Sequence, residues 1–243
     1  MALPVVCLHG WGSDARVWPE AIINNQIKQW VTLNLPGHGA NPSAAAKGFD
    51  AALGQIVAAA PARCHVLGWS LGAQFALAWA ARCPMQVERL VLIAATPRFV
   101  AAPDWPQGMA AETFNAFAEA LALEPGPTWR RFLRLQAQGD AAAKTVVRAL
   151  DTALGTAPPA ASAVLRDSLN WLRDNDLRAQ CHTIAQSCLL LHGREDHITP
   201  PAAGEWLAAQ LPAARLCLIK GAAHAPFLSA PALVNKEIAQ FLK

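Results

Sequence analysis

Ser70 stands between Gly68 and Gly72 in "VLGWSLGAQ", where a short apolar run gives way to a helix-like stretch. A serine placed there only for a turn would not need small residues two positions away on both sides. G-x-S-x-G between a strand and a helix makes a sharp corner. The serine takes a strained backbone conformation, and larger side chains at the flanking positions would strike the neighbouring strand or helix. The corner projects the hydroxyl at a helix N-terminus, where the helix dipole favours developing negative charge. That is a setting for a nucleophile. A serine hydroxyl attacks a carbonyl only when a base takes its proton, so the chain must also supply a histidine and an acid that orients it.

Seven histidines compete for the role of base. Nucleophiles on such corners are followed along the chain by the acid and then the histidine. That order favours His224, the last histidine, on the small-residue loop "GAAHAPFLSAP". His38, His65, His182, His192 and His197 lack the position and are expected in turns, core or surface. The acid should follow the preceding strand candidate, and "CLLLHGREDHITP" offers Glu195 and Asp196 there. Asp196, three residues past Gly193, has the better spacing; Glu195 is expected to be a solvated neighbour. The oxyanion needs two backbone donors. One is the N–H of Leu71, directly after the nucleophile. The other is the N–H of Trp11 in "LHGWG", where His9-Gly10 permits close approach.

These residues must be positioned by elements that bring distant stretches together. Six β-like runs punctuate the chain: Pro4–His9, Val31–Leu35, His65–Gly68, Leu90–Ala94, Cys188–His192 and Arg215–Ile219. Most are continuously apolar, as strands buried on both faces are, and helix-like runs alternate with them. Between Thr96 and about Asp176 the strand signal vanishes. Helical patterns replace it: "AETFNAFAEALALE", "PTWRRFLRLQAQG", "AAAKTVVRALDTAL" and "ASAVLRDSLNWLRDN". The reading is an α/β protein with a mostly parallel central sheet flanked by helices. Residues 1–96 and 177–243 form its core, and 97–176 form an inserted helical cap.

Bulk properties narrow the rest. With 243 residues, 53% hydrophobic and 15% charged, the chain is neither disordered nor fibrous and can bury a core. A net charge of +3 gives no case for general nucleic-acid binding, which needs a clustered basic face. Six cysteines form no C-x-x-C pair and several sit in strand-like runs, so neither a metal site nor a disulfide framework is expected. The start, "MALPVVCLHGWG", lacks a basic segment and a long apolar one, which argues against secretion. No apolar run reaches membrane-spanning length. A soluble, cytoplasmic monomer with no membrane partner and no cofactor is the expectation.

The chain resembles the α/β-hydrolase superfamily well beyond the three catalytic candidates. "VVCLHGWGSDARVW", "LNLPGHG", "VLGWSLGAQFAL", "TPRFVAAPDWPQGM", "RRFLRLQAQGD", the "DLR" at Asp176–Arg178 and "KGAAHAPFLSAP" look like the pimeloyl-[acyl-carrier protein] methyl ester esterase family of biotin synthesis. Tryptophan in both "HGWG" and "GWSLG", with "TPRF…DWP" at the cap entrance, is the specific part. The resemblance implies an α/β-hydrolase fold with the cap between the sixth and seventh strands of that sheet. It implies removal of the methyl group from a pimeloyl ester held on acyl-carrier protein. The leading hairpin usual in the family is expected to be missing, and Ser187 stands where a proline is common.

The cap's own pattern bears on this. As a helix, "TWRRFLRLQ" puts Trp129, Phe132, Leu133 and Gln136 on one face and Arg130, Arg131 and Arg134 on the other. In "KTVVRALD", Lys144 and Arg148 share a face away from Val146, Val147 and Leu150. The apolar stripe suits an aliphatic acyl channel, and the basic one suits an acidic carrier protein. The pattern alone fits a solvated charged face over an ordinary core stripe equally well. By the family likeness, Arg131, Lys144 and Arg148 contact the carrier, and Phe132, Leu133, Arg134, Leu135 and Gln136 border the acyl site beside Trp11, Ser70, Leu71 and His224.

Other functions share the motif. A general short-chain carboxylesterase without a carrier partner has the same triad, as does a carbon–carbon bond hydrolase. Epoxide hydrolases and dehalogenases carry aspartate at the corner and are disfavoured, and the chain has no tyrosine to activate an epoxide. A non-catalytic binding protein that keeps the serine pocket as a receptor is the remaining class.

Overall fold

The computed structural model describes residues 3–23, 29–39 and 46–243. Six strands form one sheet: β1 (Val5–Leu8), β2 (Trp30–Leu33), β3 (Cys64–Trp69), β4 (Val87–Ile93), β5 (Ser187–Gly193) and β6 (Ala214–Ile219). Their order is β2-β1-β3-β4-β5-β6, and every neighbouring pair is parallel. All six expected runs are strands, with ends shifted by a few residues. The chain passes from β1 to β2 on one side, then to β3 on the other. The strand order therefore reverses at β1 and β3, and open parallel sheets bind ligands outside the carboxyl ends of strands at such a point.

Alternation along the inner strands explains their continuous apolar character. Successive side chains point to opposite faces. Val6, Leu8, Val66, Leu90, Leu92 and Leu190 pack on one face with Leu53, Ile56, Phe75 and Trp79 of α2 (Phe49–Ala59) and α3 (Leu71–Arg82). Val5, Cys7, Leu67, Val91, Ile93, Leu189 and Leu191 pack on the other, with Ile22 of the short α1 (Glu20–Ile23). The edge strands β2 and β6 are only partly buried. Each has a neighbour on one side only, so continuous burial holds for the inner four.

Four helices lie between β4 and β5: α4 (Ala111–Leu123), α5 (Pro125–Leu135), α6 (Ala143–Leu154) and α7 (Ser162–Asp174). No strand precedes β1 among the described residues, so the connection counted sixth-to-seventh in the family is fourth-to-fifth here. Each helix buries a stripe: Trp129 and Leu133 on α5, Val146, Leu150 and Leu154 on α6, Leu165, Leu169 and Leu172 on α7. The chain leaves and re-enters the sheet region at adjacent points. Leu177 N donates to Pro97 O at 2.9 Å, and Arg98 and Asp176 form an antiparallel bridge with a 3.0 Å ion pair. Arg178 reaches Asp104 and Asp176 at 2.8 and 2.7 Å, and its hydrogen bonds hold both carboxyls below their ordinary range. Such exposed pairs add little stability; here they join the two ends of the helical segment between β4 and β5. After β5 come α8 (Pro201–Gln210), then β6, α9 (Pro226–Ser229) and α10 (Pro231–Phe241). Phe227, Val234 and Ile238 from the last two cover the second face.

Candidate active site

Ser70 links β3 to α3 with φ 55° and ψ −116°, a left-handed conformation that costs an L-residue of order 1–3 kcal/mol and needs its surroundings to hold it. Those surroundings are backbone. A Cβ on Gly68 would lie 2.4 Å from Gly72 O, and one on Gly72 would lie 2.2 Å from Leu8 O. The strand, the corner and the helix pass so closely that only hydrogen fits at either position. Ser70 N donates to Ile93 O at 2.9 Å, tying the corner to β4.

Asp196 and His224 meet beyond the carboxyl ends of the adjacent parallel strands β5 and β6. Asp196 follows β5 in a tight turn, where Oδ1 accepts the N–H groups of Ile198 and Thr199, each at 2.9 Å. Oδ2 accepts from His224 Nδ1 at 2.8 Å. Burial opposes ionisation of this carboxyl, but His224, His192 and the Thr199 N–H together hold it below its ordinary range. An ionised Asp196 only accepts hydrogen bonds, so the proton of neutral His224 sits on Nδ1 and the lone pair on Nε2. Nε2 is buried and has no hydrogen-bond partner. The Ser70–His224 hydrogen bond is open in this structure, as such bonds often are before substrate tightens them. Trp69, next to Ser70, donates its indole N–H to His224 O at 2.8 Å.

The oxyanion candidates occupy the expected loops. Leu71 is the first residue of α3, whose first-turn N–H groups have no partner within the helix. Among the described residues no protein acceptor takes the N–H of Trp11. Gly10 lets this loop close on Ser70, since a Cβ there would lie 3.3 Å from Ser70 Cβ. His9 locks it: Nδ1 donates to Gly10 O at 2.9 Å, and Nε2 accepts from Leu35 N at 3.0 Å. Burial drives the His9 pKa down to about 3, so the ring stays neutral.

Two indoles fasten this loop to α5 and α7. Trp11 Nε1 donates to Leu165 O of α7 at 3.0 Å, and Trp129 Nε1 of α5 donates to Gly12 O at 2.6 Å. Above Ser70 lies an apolar cavity lined by Trp11, Phe99, Met109, Phe114, Phe117, Phe132, Leu135, Leu169, Leu172 and Ile198, with Thr113 at its side. The Trp11 ring meets Phe117 and Phe132 edge-on at 5.5 and 5.0 Å.

The sequence-expected residues divide among three places. Phe132 and Leu135 line the cavity beside Trp11 and Ser70. Leu133 is buried in the core beneath, and Gln136 is buried with its carbonyl accepting from His224 N at 3.2 Å. Arg134 does not border the cavity: helical spacing turns it outward into a groove of about 580 Å³ with Lys144, Val147, Arg148 and Asp151. Val147 thus shares the groove with the bases rather than facing wholly away. Arg131 is exposed one turn earlier on α5. Glu195 is not simply solvated, because its Oε1 accepts from Gly221 N at 3.2 Å. His192, expected in a turn, core or surface, is buried and lies 3.5 Å from Asp196 Oδ2 while its Nε2 donates to Thr199 O at 2.8 Å. Burial keeps it neutral. The cavity residues on α4 and α7 went unassigned in the sequence, although Phe114 and Phe117 stand at i, i+3.

Residues 5–237 match the model of the alpha/beta hydrolase family. The pimeloyl-[acyl-carrier protein] methyl ester esterase of Nitrosomonas europaea is 40% identical over 228 residues, 93% of this chain and 90% of that one. Its namesake from Aromatoleum aromaticum is 41% identical over 93% of each chain. The chain belongs to the alpha/beta hydrolase family, among the pimeloyl-[acyl-carrier protein] methyl ester esterases. It is a carboxylic ester hydrolase. Among solved structures, an esterase from Exiguobacterium antarcticum superposes with a TM-score of 0.86 at 21% identity, covering 99% of this chain and 92% of that one; that likeness shows the fold. Among the described residues no helix is long and apolar enough to cross a membrane.

Proposed function

We propose that this esterase hydrolyses the methyl ester of pimeloyl-[acyl-carrier protein], releasing methanol and the free carboxylate in biotin synthesis. Ser70 is the nucleophile, His224 the base and Asp196 the group that orients it. The observation that carries this reading is the 2.8 Å Asp196–His224 pair set beside a strained serine that opens into an apolar cavity. Two relatives at about the same identity carry that activity in their names.

The steps follow from the geometry. Ser70 Oγ attacks the ester carbonyl while its proton passes to His224 Nε2. Asp196 stabilises the imidazolium without taking the proton. The oxyanion accepts from the N–H groups of Trp11 and Leu71, each such donor being worth roughly 3–4 kcal/mol in the barrier. Collapse expels methanol, which takes the proton from His224. Water then attacks the acyl-serine by the same route, returning the serine and freeing the acid. The cavity wall supports an aliphatic chain and a neutral ester. No step calls for a metal or an organic cofactor.

Residues 97–176 act as a cap over the site, and the groove between α5 and α6 receives the carrier protein. Arg131, Lys144 and Arg148 give that face the charge to steer an acidic partner. The enzyme works in the cytoplasm as a monomer. Mass spectrometry of methyl-pimeloyl carrier protein tests the reaction. The wild type should remove the mass of one CH2, and Ser70→Ala should slow this about 10⁴-fold or more while unfolding at the same denaturant concentration. Wild-type turnover by Ser70→Ala would remove Ser70 from the nucleophile's role. Turnover of small esters but not of the carrier-bound one would leave a general carboxylesterase.

A further inference from the structure

His224 sits on the loop 221–224, and that loop is gripped from two sides. On one side is the acid loop: Glu195 N donates to Ala222 O at 3.0 Å, and Glu195 Oε1 accepts from Gly221 N. On the other is the link between α5 and α6. There Gln136 O accepts from His224 N at 3.2 Å, and Ala141 N donates to Gly221 O at 2.8 Å. One side chain of that link also reaches the loop. Asp140, buried at 7% exposure, accepts from Ala223 N through Oδ2 at 2.8 Å. Its Oδ1 accepts from Ala142 N, also at 2.8 Å, in the turn that starts α6.

Neither bond belongs to the acid–base–nucleophile relay, yet each has a consequence. Ala223 immediately precedes the base, so the Asp140 bond fixes the backbone from which the imidazole reaches Asp196. The second oxygen holds the first turn of α6, the helix that carries Lys144, Val147, Arg148 and Asp151 of the groove. We propose that Asp140 is a positioning residue for His224: it clamps the Ala222–Ala223 peptide, one residue before the base, and ties the groove helix to the catalytic base. The proposal rests on the esterase reading above. It makes the position of α6, and therefore whatever occupies the groove, a determinant of how well the base is aimed.

The test uses the full chain and two variants, Asp140→Ala and Asp140→Asn. Alanine removes both acceptors; asparagine keeps the shape and one acceptor oxygen. Misplacing a catalytic group costs on the order of 10- to 100-fold. Asp140→Ala should therefore lose about that factor in kcat on small p-nitrophenyl esters and on carrier-bound ester alike. Its KM for the small ester should stay within about twofold, because uniform binding is untouched. Asp140→Asn should recover part of the loss. Proton NMR gives a readout without substrate. The downfield Nδ1–H resonance of the Asp196–His224 hydrogen bond, present in the wild type, should broaden or vanish in Asp140→Ala and persist in Asp140→Asn. If the alanine variant does not fold, the asparagine variant decides: intermediate kcat at unchanged KM supports positioning. Wild-type kcat and an intact resonance in whichever variant folds would overturn it. A wild type that shows the resonance but turns over no methyl-pimeloyl carrier protein would fail the esterase reading instead, leaving the Asp140 clamp standing.

Discussion

The corner at Ser70 and the helices above it are held in place by different physics. At the corner, backbone meets backbone: hydrogens on Gly68 and Gly72 face carbonyl groups that any Cβ would strike. Over the site, α4, α5 and α7 are attached to the loop at Trp11–Gly12 by the indoles of Trp129 and Trp11 and by ring contacts among Trp11, Phe117 and Phe132. Close backbone approach has no gentle alternative. Side-chain attachment can be loosened by degrees, which suits a region that must admit a long acyl chain. Ser70 is thus set by steric exclusion and the walls of the cavity above it by fastenings.

The largest effect should come from breaking the first kind of restraint. Gly72→Ala places a methyl 2.2 Å from Leu8 O, so β1 or α3 must shift, and the loss should be about 4 kcal/mol or more. Urea unfolding measures it; a loss below 1 kcal/mol would mean that the corner is more yielding than its geometry implies. Acid separates the two regions next. His9, His38 and His192 are buried on the sheet side, and burial lowers each pKa, whereas α4–α7 contain no histidine. Below the unfolded value of about 6.5 the unfolded chain binds the extra protons. For His9, whose pKa is driven to about 3, stability should then fall by about 1.4 kcal/mol per pH unit, or about 2–3 kcal/mol between pH 6.5 and 4.5, and His38 and His192 shift stability in the same direction. Equilibrium unfolding across that window checks this, and His9→Gln should flatten the slope. An unchanged urea midpoint from pH 7 to 5 would contradict it.

Loosening a fastening should do less. Trp129→Phe keeps the ring but strands Gly12 O, for a loss of about 2 kcal/mol with a parallel fall in small-ester kcat. An effect on stability alone would separate the attachment of α5 from the position of the Trp11–Gly12 loop. The smallest effect is outside the cavity. Reversing charge at Arg131 and Arg148 should slow carrier-bound ester about tenfold through lost steering and leave small esters unchanged. Only the carrier-bound rate should fall as salt rises. Equal loss on both substrates would count against docking on this face.

The same contrast explains what could be read in advance. A requirement for hydrogen in place of a side chain is written as glycine, so the Ser70 corner was legible from its pentapeptide, and the order of acid and base from their loops. The six strands were legible because burial on both faces demands unbroken apolar runs. The fastenings were not. An indole that donates to a carbonyl 154 residues away, as Trp11 does to Leu165, leaves no local pattern. Neither does Asp140, whose partner Ala223 is 83 residues distant. Arg134 was misplaced because its neighbours Phe132 and Leu135 face the cavity, while its own turn of the helix directs it outward.

The most direct measurement is a crystal structure of the enzyme after reaction with a fluorophosphonate ester. The phosphorus should be bonded to Ser70 Oγ. One phosphoryl oxygen should lie about 2.7–3.1 Å from the N–H nitrogens of both Trp11 and Leu71, with His224 Nε2 in hydrogen-bond reach of the adduct and Asp196 still on Nδ1. An adduct on another residue, or a His224 ring that stays turned from the phosphonate, would contradict the account.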